Sequence, residues 1–458
     1  MNAGARKQLF GTDGMRGVAG EHPLDHETLW SMGTALAAML RQTLPSPRVL
    51  LARDTRESGA GIAATLASSL EVAGARPEVV GVLPTPALAV LTRDGKYDVG
   101  IMVSASHNPY RDNGVKVISG DGFKLSDDRE IELERLMSEH ATQVEGATAP
   151  EPAEDSGPHE KRYLDQLRDR LGSDTTLSGL SVVLDCAQGA AYKLAPRVFE
   201  ALGAKVKTIH CQPNGRNINL DCGSLHPEKL SSEVRESGAD LGIAFDGDAD
   251  RALAVDDTGR LLDGDFLLWR AALDLKARNR LTKSTVVATV MSNLWLEQVL
   301  RREGIDLLRA PVGDKYVLEE MLRTGASLGG EQSGHIIYLD QSTTGDGILT
   351  GVRLADSVRR AGAPLSKWAE QYEPDPQILI NVQVRHKPVL GDHPIIGKAI
   401  EKAETNLGDQ GRLLVRYSGT EPLARVMVEG FEEKLVKSMA QDLAELIERE
   451  IGVGSGNA

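Results

Sequence analysis

Three stretches of this 458-residue chain repeat one plan: an apolar strand, a helix with spaced Leu, Ala and Val, a glycine, and a second strand. Val49–Ala52 leads through a helical pattern to Gly74 and then Glu78–Val80. Ser181–Leu184 leads to Gly203 and then Lys205–Ile209, and Thr285–Ala288 leads to Gly304 and then Asp306–Leu308. Glycine stops a helix because it takes the left-handed conformation without a steric penalty. A helical crossover between two strands joins parallel neighbours, so the plan predicts mostly parallel sheets covered by helices. Recurring three times over this length, it predicts three similar α/β domains.

Composition shifts mark the boundaries. Ala147–Pro152 is polar and proline-rich, Asp256–Gly259 reads as a turn, and Glu373–Pro376 precedes a segment of different character. The expected domains are 1–152, 153–256, 257–372 and 373–458. In the last, Leu379–Val384 alternates like a half-exposed strand, Arg412–Arg416 and Ala424–Val428 add two more, and an amphipathic helix runs from about Lys434 to Arg449. This is a smaller α+β domain with helices on one antiparallel face, closed by a Gly/Ser tail expected to be mobile.

The densest chemistry lies in Asp246-Gly247-Asp248-Ala249-Asp250-Arg251, which follows the buried strand pattern Ala239–Phe245. Ligands of open α/β sheets gather at the C-terminal ends of strands. Carboxylates this close disfavour one another's ionisation unless a cation sits among them. Oxygen-only donors select a hard divalent ion, with Mg²⁺ foremost. A calcium-binding EF-hand loop is excluded, because its sixth and twelfth positions hold Arg251 and Asp257 instead of glycine and glutamate. A solvated acidic turn is the alternative.

Four other segments carry polar function. Ile101–Val103 runs into Ser104-Ala105-Ser106-His107-Asn108-Pro109. Neighbouring residues of an extended segment face opposite ways, so His107 is expected to be poorly placed as a base for Ser106, and no G-x-S-x-G turn is present. Ser104 is as good a candidate hydroxyl as Ser106. Lys116, after Asn113-Gly114-Val115, reads by default as a surface cation, or as a neutralising or proton-transferring group beside a phosphoryl donor. Gly329-Gly330-Glu331-Gln332-Ser333-Gly334-His335 offers close backbone approach, with Glu331 and Ser333 suited to neighbouring sugar hydroxyls. Arg416-Tyr417-Ser418-Gly419-Thr420-Glu421-Pro422, with Arg425, reads as a phosphate cradle, and it lacks the spacing of a Walker loop.

The net charge of −14 argues against nucleic acid or an anionic membrane as partner. Three cysteines without a CxxC suit a reducing compartment, and neither a signal peptide nor a membrane-length apolar run is visible, so a cytoplasmic protein is expected.

Gly11-Thr12-Asp13-Gly14-Met15-Arg16-Gly17, Ser106–Pro109, Asp246–Arg251, Glu331–His335 and Arg416–Pro422 occur in an order that resembles the α-D-phosphohexomutase superfamily over essentially the whole chain. Gly330–His335, Val312-Gly313-Asp314 and Arg416–Pro422 resemble its bacterial amino-sugar branch. The resemblance implies interconversion of glucosamine 6-phosphate and glucosamine 1-phosphate through a glucosamine 1,6-bisphosphate, feeding UDP-N-acetylglucosamine. It implies four domains around a central cleft, the fourth a mobile lid, and a homodimer. By that pattern Ser106 carries the phosphoryl group and, with Asp246, Asp248 and Asp250, holds one Mg²⁺. Lys116 and His335 are then the candidate proton-transfer groups, and Arg16 and Arg251 support the phosphoserine. Glu331 and Ser333 bind the sugar, while Arg416, Ser418, Gly419, Thr420 and Arg425 bind the phosphate that is not transferred. Pro311 and Lys315 depart from the lysine and arginine usual there. The rivals are a phosphomannomutase or phosphoglucomutase of the same superfamily, a non-catalytic sugar-phosphate sensor, and a metal phosphatase.

Overall fold

Each repeat closes on itself in parallel. Arg48–Arg53 pairs with Arg76–Val82, Ser181–Asp185 with Lys205–Ile209, and Thr285–Thr289 with Asp306–Ala310. The glycines that end the intervening helices, Gly74, Gly203 and Gly304, have φ of 88°, 96° and 63°. Their amides return to Glu71, Glu200 and Arg301 carbonyls, which would otherwise be orphaned at the helix ends. The structure, a computed structural model, describes residues 7–139, 156–418 and 422–453. The proline-rich stretch Ala147–Pro152 and the Gly/Ser tail lie outside the described residues.

The chain divides into two compact units, Met1–Met291 with Ile305–Gln371, and Ser292–Gly304 with Tyr372–Ala458. The first holds three sheets with a common centre. In each, a third strand joins the first in parallel: Val99–Val103, Leu241–Phe245 and Leu328–Gly330. Each third strand then turns back into an antiparallel neighbour, Asp112–Ser119, Ala252–Asp256 and Ile336–Tyr338. The sheets are therefore mixed. In the first, antiparallel pairings outnumber parallel ones three to two, because Gly14–Val18 and Phe10–Gly11 add to that edge. The strand–helix–strand units fix the parallel centre expected of them, and hairpins supply the antiparallel edges.

This common plan positions the chemistry. The loops Ser104–Arg111, Asp246–Arg251 and Glu331–His335 all fill one topological place, the turn after the third strand. The strands that deliver the first two, Val99–Val103 and Leu241–Phe245, are buried throughout. Burial on both faces removes the freedom of a loop anchored at such a strand end.

The second unit is a three-stranded antiparallel sheet, with Leu423–Gly430 between Gln377–Gln383 and Gly411–Tyr417. Helices Ile396–Leu407 and Glu433–Ile451 supply its apolar cover through Ile396, Ala403, Leu407, Val436, Ala440 and Ile447. Helix Leu294–Arg302, from the third repeat, belongs to this unit. Asn293 Nδ2 donates to Asp375 O at 2.9 Å, the Asp375 amide returns to Asn293 Oδ1 at 3.0 Å, and Trp295 meets Tyr372 edge-on at 4.8 Å. No helix among the described residues is long and apolar enough to cross a membrane.

Ile243, fully buried in the strand that delivers the aspartates, is a direct test of this anchoring. Ile243→Ala is expected to cost about 2–5 kcal/mol of unfolding free energy. The measurement is the urea midpoint at unchanged slope.

Candidate active site

Sequence-distant loops meet at one hydroxyl. Ser106 Oγ donates to Asp246 Oδ2 at 2.6 Å, across 140 residues of chain. Ser106 is 1% exposed and has φ of 53°, a left-handed backbone that costs a non-glycine residue about 1–2 kcal/mol. That conformation overturns the expectation for His107, whose Nδ1 lies 3.3 Å from Ser106 Oγ. Alternation of side chains holds for extended backbone, which Ser106 does not have. Burial and the guanidiniums of Arg251 and Arg16 push the His107 imidazole down to about 4, so it is neutral at pH 7. Ser104 resolves into a different role: its Oγ donates to Asp54 Oδ2 at 2.6 Å and accepts from the Ser106 amide at 2.9 Å.

Asp246, Asp248 and Asp250 are buried and offer carboxylate oxygens that all lie within 4.8 Å of one another. Asp248 Oδ2 is occupied by Thr85 Oγ1 at 2.6 Å and Lys116 Nζ at 2.9 Å, while its buried Oδ1 accepts no hydrogen bond. Burial, then Asp250 and Asp248, push the Asp246 carboxyl well above its usual range. Asp250 goes the other way: burial opposes it, but Lys116, His335 and Arg251 hold its carboxyl far below that range. A cluster of hard oxygens with an orphaned buried lone-pair site fits a divalent cation.

Lys116 is not a surface cation; it is 1% exposed. Its Nζ lies 3.1 Å from Asp13 Oδ2, 2.9 Å from Asp248 Oδ2 and 3.5 Å from Asp250 Oδ2. Burial lowers its affinity for a proton, but those three carboxylates outweigh that and hold the ammonium well above its usual range. Asp13 is also paired with Arg16 and with Lys124, and Lys124 Nζ reaches Asp314 Oδ2 at 2.5 Å. Asp314 Oδ2 lies 3.6 Å from His335 Nε2, and His335 Nδ1 lies 3.6 Å from Asp250 Oδ1. Lys116, Asp13, Lys124, Asp314, His335 and Asp250 thus form a closed circuit of alternating groups. The Gly345 amide donates to His335 Nε2 at 2.9 Å, which assigns the neutral Nδ1–H tautomer. Burial opposes protonation of His335, yet Asp250, Asp314 and Glu331 raise it above its usual range. We take the neutral form as that of the structure, since a nitrogen accepting from an amide cannot also carry a proton.

The remaining expected residues are placed as follows. The Arg251 amide donates to Asp246 Oδ1 at 3.2 Å, tying the acidic loop to itself. Glu331 Oε1 accepts from the Gly313 amide at 3.2 Å, and Ser333 is exposed. Lys315 Nζ lies 2.5 Å from Asp127 Oδ1, so this departing residue is engaged by a carboxylate. In the second unit, Arg416 and Arg425 sit directly opposite on adjacent strands. Like charges so placed repel unless an anion lies between them, and burial followed by Arg425 lowers the Arg416 guanidinium. Lys387 Nζ donates to Ser418 O at 2.7 Å, and Gly419 and Thr420 lie outside the described residues.

Sequence reasoning missed Asp54, Arg56, Thr85, Lys124 and Asn219. The rule that singled out the aspartates, charge at the end of a buried strand, applies equally to Asp54 and Arg56 after Arg48–Arg53. Lys124 and Asn219 stand in no such pattern.

Four family models match. They are the α/β/α domain I of phosphoglucomutase/phosphomannomutase over residues 7–144, domain II over 161–259, domain III over 263–374, and the C-terminal domain over 379–446. A phosphoglucosamine mutase of Solibacter usitatus is 48% identical, covering 97% of this chain and 99% of its own. One from Koribacter versatilis is 48% identical over 98% of both. Among solved structures, a phosphoglucomutase/phosphomannomutase family protein of Burkholderia thailandensis is 25% identical with a TM-score of 0.78, covering 96% of this chain and 97% of its own.

Gly247 is a tight point of the site: a Cβ there would stand 2.4 Å from Ser106 O and 2.9 Å from Asn219 Nδ2. Gly247→Ala is expected to displace the serine loop and lower kcat by roughly 10²-fold, the cost of an ångström-scale misplacement. Steady-state kinetics on the folded variant checks it.

Proposed function

The chain belongs to the phosphoglucomutase/phosphomannomutase family, and from that premise we propose that it interconverts glucosamine 6-phosphate and glucosamine 1-phosphate through a phosphorylated Ser106. The amino-sugar substrate is supported by relatives at 43–48% identity over nearly the full chain that are named phosphoglucosamine mutase. The observation that carries the chemistry is the 2.6 Å contact of Ser106 Oγ with a carboxylate of the buried triplet.

In the first half-reaction the phosphorus leaves Ser106 Oγ for the sugar O1, giving the 1,6-bisphosphate. The O1 proton is taken up and a proton is returned to Ser106 Oγ. Lys116 and His335 are the proton carriers we assign to this exchange; both are buried and stand beside Asp250, at 3.5 and 3.6 Å. In the second, the bisphosphate has turned end for end. Ser106 Oγ loses its proton and attacks the original phosphate, and the released sugar oxygen regains one. Asp246, Asp248, Asp250 and the serine phosphate would hold a divalent cation, Mg²⁺ by the donor set, which neutralises phosphoryl oxygens when bound. The task left to the protein is positioning and charge stabilisation. Arg16 and Arg251 add positive charge on the serine phosphate, and Glu331 and Ser333 are assigned the sugar hydroxyls. Arg416, Ser418 and Arg425, with Gly419 and Thr420, are assigned the phosphate that is not reacting. Guanidiniums suit that role because they read phosphate without regard to the sugar carbon bearing it.

The decisive assay compares the 1-phosphates of glucosamine, glucose and mannose side by side. Glucosamine 1-phosphate is expected to have the highest kcat/KM, and a preference for mannose or glucose overturns the amino-sugar assignment. Ser106→Ala is expected to keep the fold and lose turnover by roughly 10³-fold or more, as when other activated nucleophiles are removed. Chelation of divalent metal is expected to stop turnover and Mg²⁺ to restore it; turnover indifferent to chelator counts against the metal assignment.

A further inference from the structure

The conformation of Ser106 is unusual for its residue type, and groups outside the reacting set hold it from both sides. A residue's φ and ψ are fixed when its two flanking peptide planes are fixed. The plane before Ser106 is held through its amide, which donates to Ser104 Oγ at 2.9 Å; Ser104 Oγ in turn donates to Asp54 Oδ2 at 2.6 Å. The plane after it is held through its carbonyl, which accepts from Arg56 Nη2 at 3.1 Å and from Asn219 Nδ2 at 2.9 Å. The same two donors also reach Asn108 O, at 2.6 and 3.0 Å.

Arg56 and Asp54 form an ion pair in which both side chains are 0% exposed. Such a pair is weak evidence of stabilisation, because desolvating two charges offsets most of their attraction. What it supplies is direction. The guanidinium is a planar fork with one end on Asp54 and the other on the loop carbonyls, so the loop cannot rotate without breaking bonds to a buried charge. Asn219 comes from the next α/β sequence segment, and its own amide is anchored to Ala187 O at 2.9 Å.

We propose that Asp54, Arg56 and Asn219 are positioning residues for the phosphoryl carrier: they hold Ser106 in the left-handed conformation that aims its Oγ at the aspartate triplet. None touches the reacting atoms; they act through the backbone of Ser106. The proposal rests on Ser106 being the phosphoryl carrier.

The test uses the full-length protein and the variants Arg56→Lys, which keeps the charge and loses the fork, and Asn219→Ala, which leaves the ion pair intact. For each, kcat and KM for glucosamine 1-phosphate, the thermal midpoint, and the phosphorylated fraction of Ser106 by intact mass are measured. The expected result is a fall in kcat of roughly 10–100-fold with KM within about twofold. The double variant is expected to lose less than the product of the single effects, because both residues hold one carbonyl. A purely structural role would instead lower the midpoint and leave kcat per folded molecule unchanged, and that result overturns the proposal. So does a rise in KM at constant kcat. If Arg56→Lys does not fold, Asn219→Ala decides alone. Wild-type protein that never carries phosphate on Ser106 sinks the functional reading and this one together; phosphorylated wild type with unaffected variants sinks only this one.

Discussion

The hydrogen bond from Ser106 Oγ to Asp246 is the contact around which the buried polar groups of the first unit gather. It joins two loops that occupy one topological place in different sheets, each the turn after a third parallel strand. The third such loop ends in His335, whose imidazole approaches Asp250. Repetition of one α/β plan therefore delivers three different chemistries: a hydroxyl from the first sheet, carboxylates from the second, an imidazole from the third. Backbone contact is close enough that Gly247 has no room for a side chain.

Charge dictates the surroundings. Two like charges 4–5 Å apart repel by about 3–4 kcal/mol at the effective dielectric of a protein site. The aspartate triplet contains three such pairs within 4.8 Å. One ammonium, Lys116, offsets part of this by standing between Asp248, Asp250 and Asp13. Arg16, paired with Asp13, and Arg251, facing Asp250, are the further cations beside the cluster. Lys124 extends the same compensation to the third sheet's segment by pairing with both Asp13 and Asp314.

Much of this was legible in the sequence because it follows local rules. A buried run before Asp246 placed the carboxylates at a strand end, and glycines at 74, 203 and 304 ended helices where the pattern required them. Three strands and a closing helix were readable in the last segment from alternation and amphipathic spacing. What escaped depends on long-range assembly. The burial of Lys116 follows from Asp13 and Asp248 arriving from distant segments, and no local pattern separates it from a surface lysine. The contact of His107 with Ser106 needs a left-handed serine, which polar loop residues do not announce. Helix Leu294–Arg302 reads as part of the third repeat, yet Asn293 and Trp295 bind residues some eighty positions onward.

The reaction asks for two opposite properties. Under the proposed mechanism, phosphoryl transfer needs a centre fixed to within a fraction of an ångström, while the 1,6-bisphosphate must present first one end and then the other. The serine, the carboxylates and the lysine all lie buried in the first unit, with Ser106 bonded to Asp246 and Lys116 to Asp248. The second unit holds Arg416 and Arg425, two like charges in cross-strand register. Their mutual repulsion favours an anion between them.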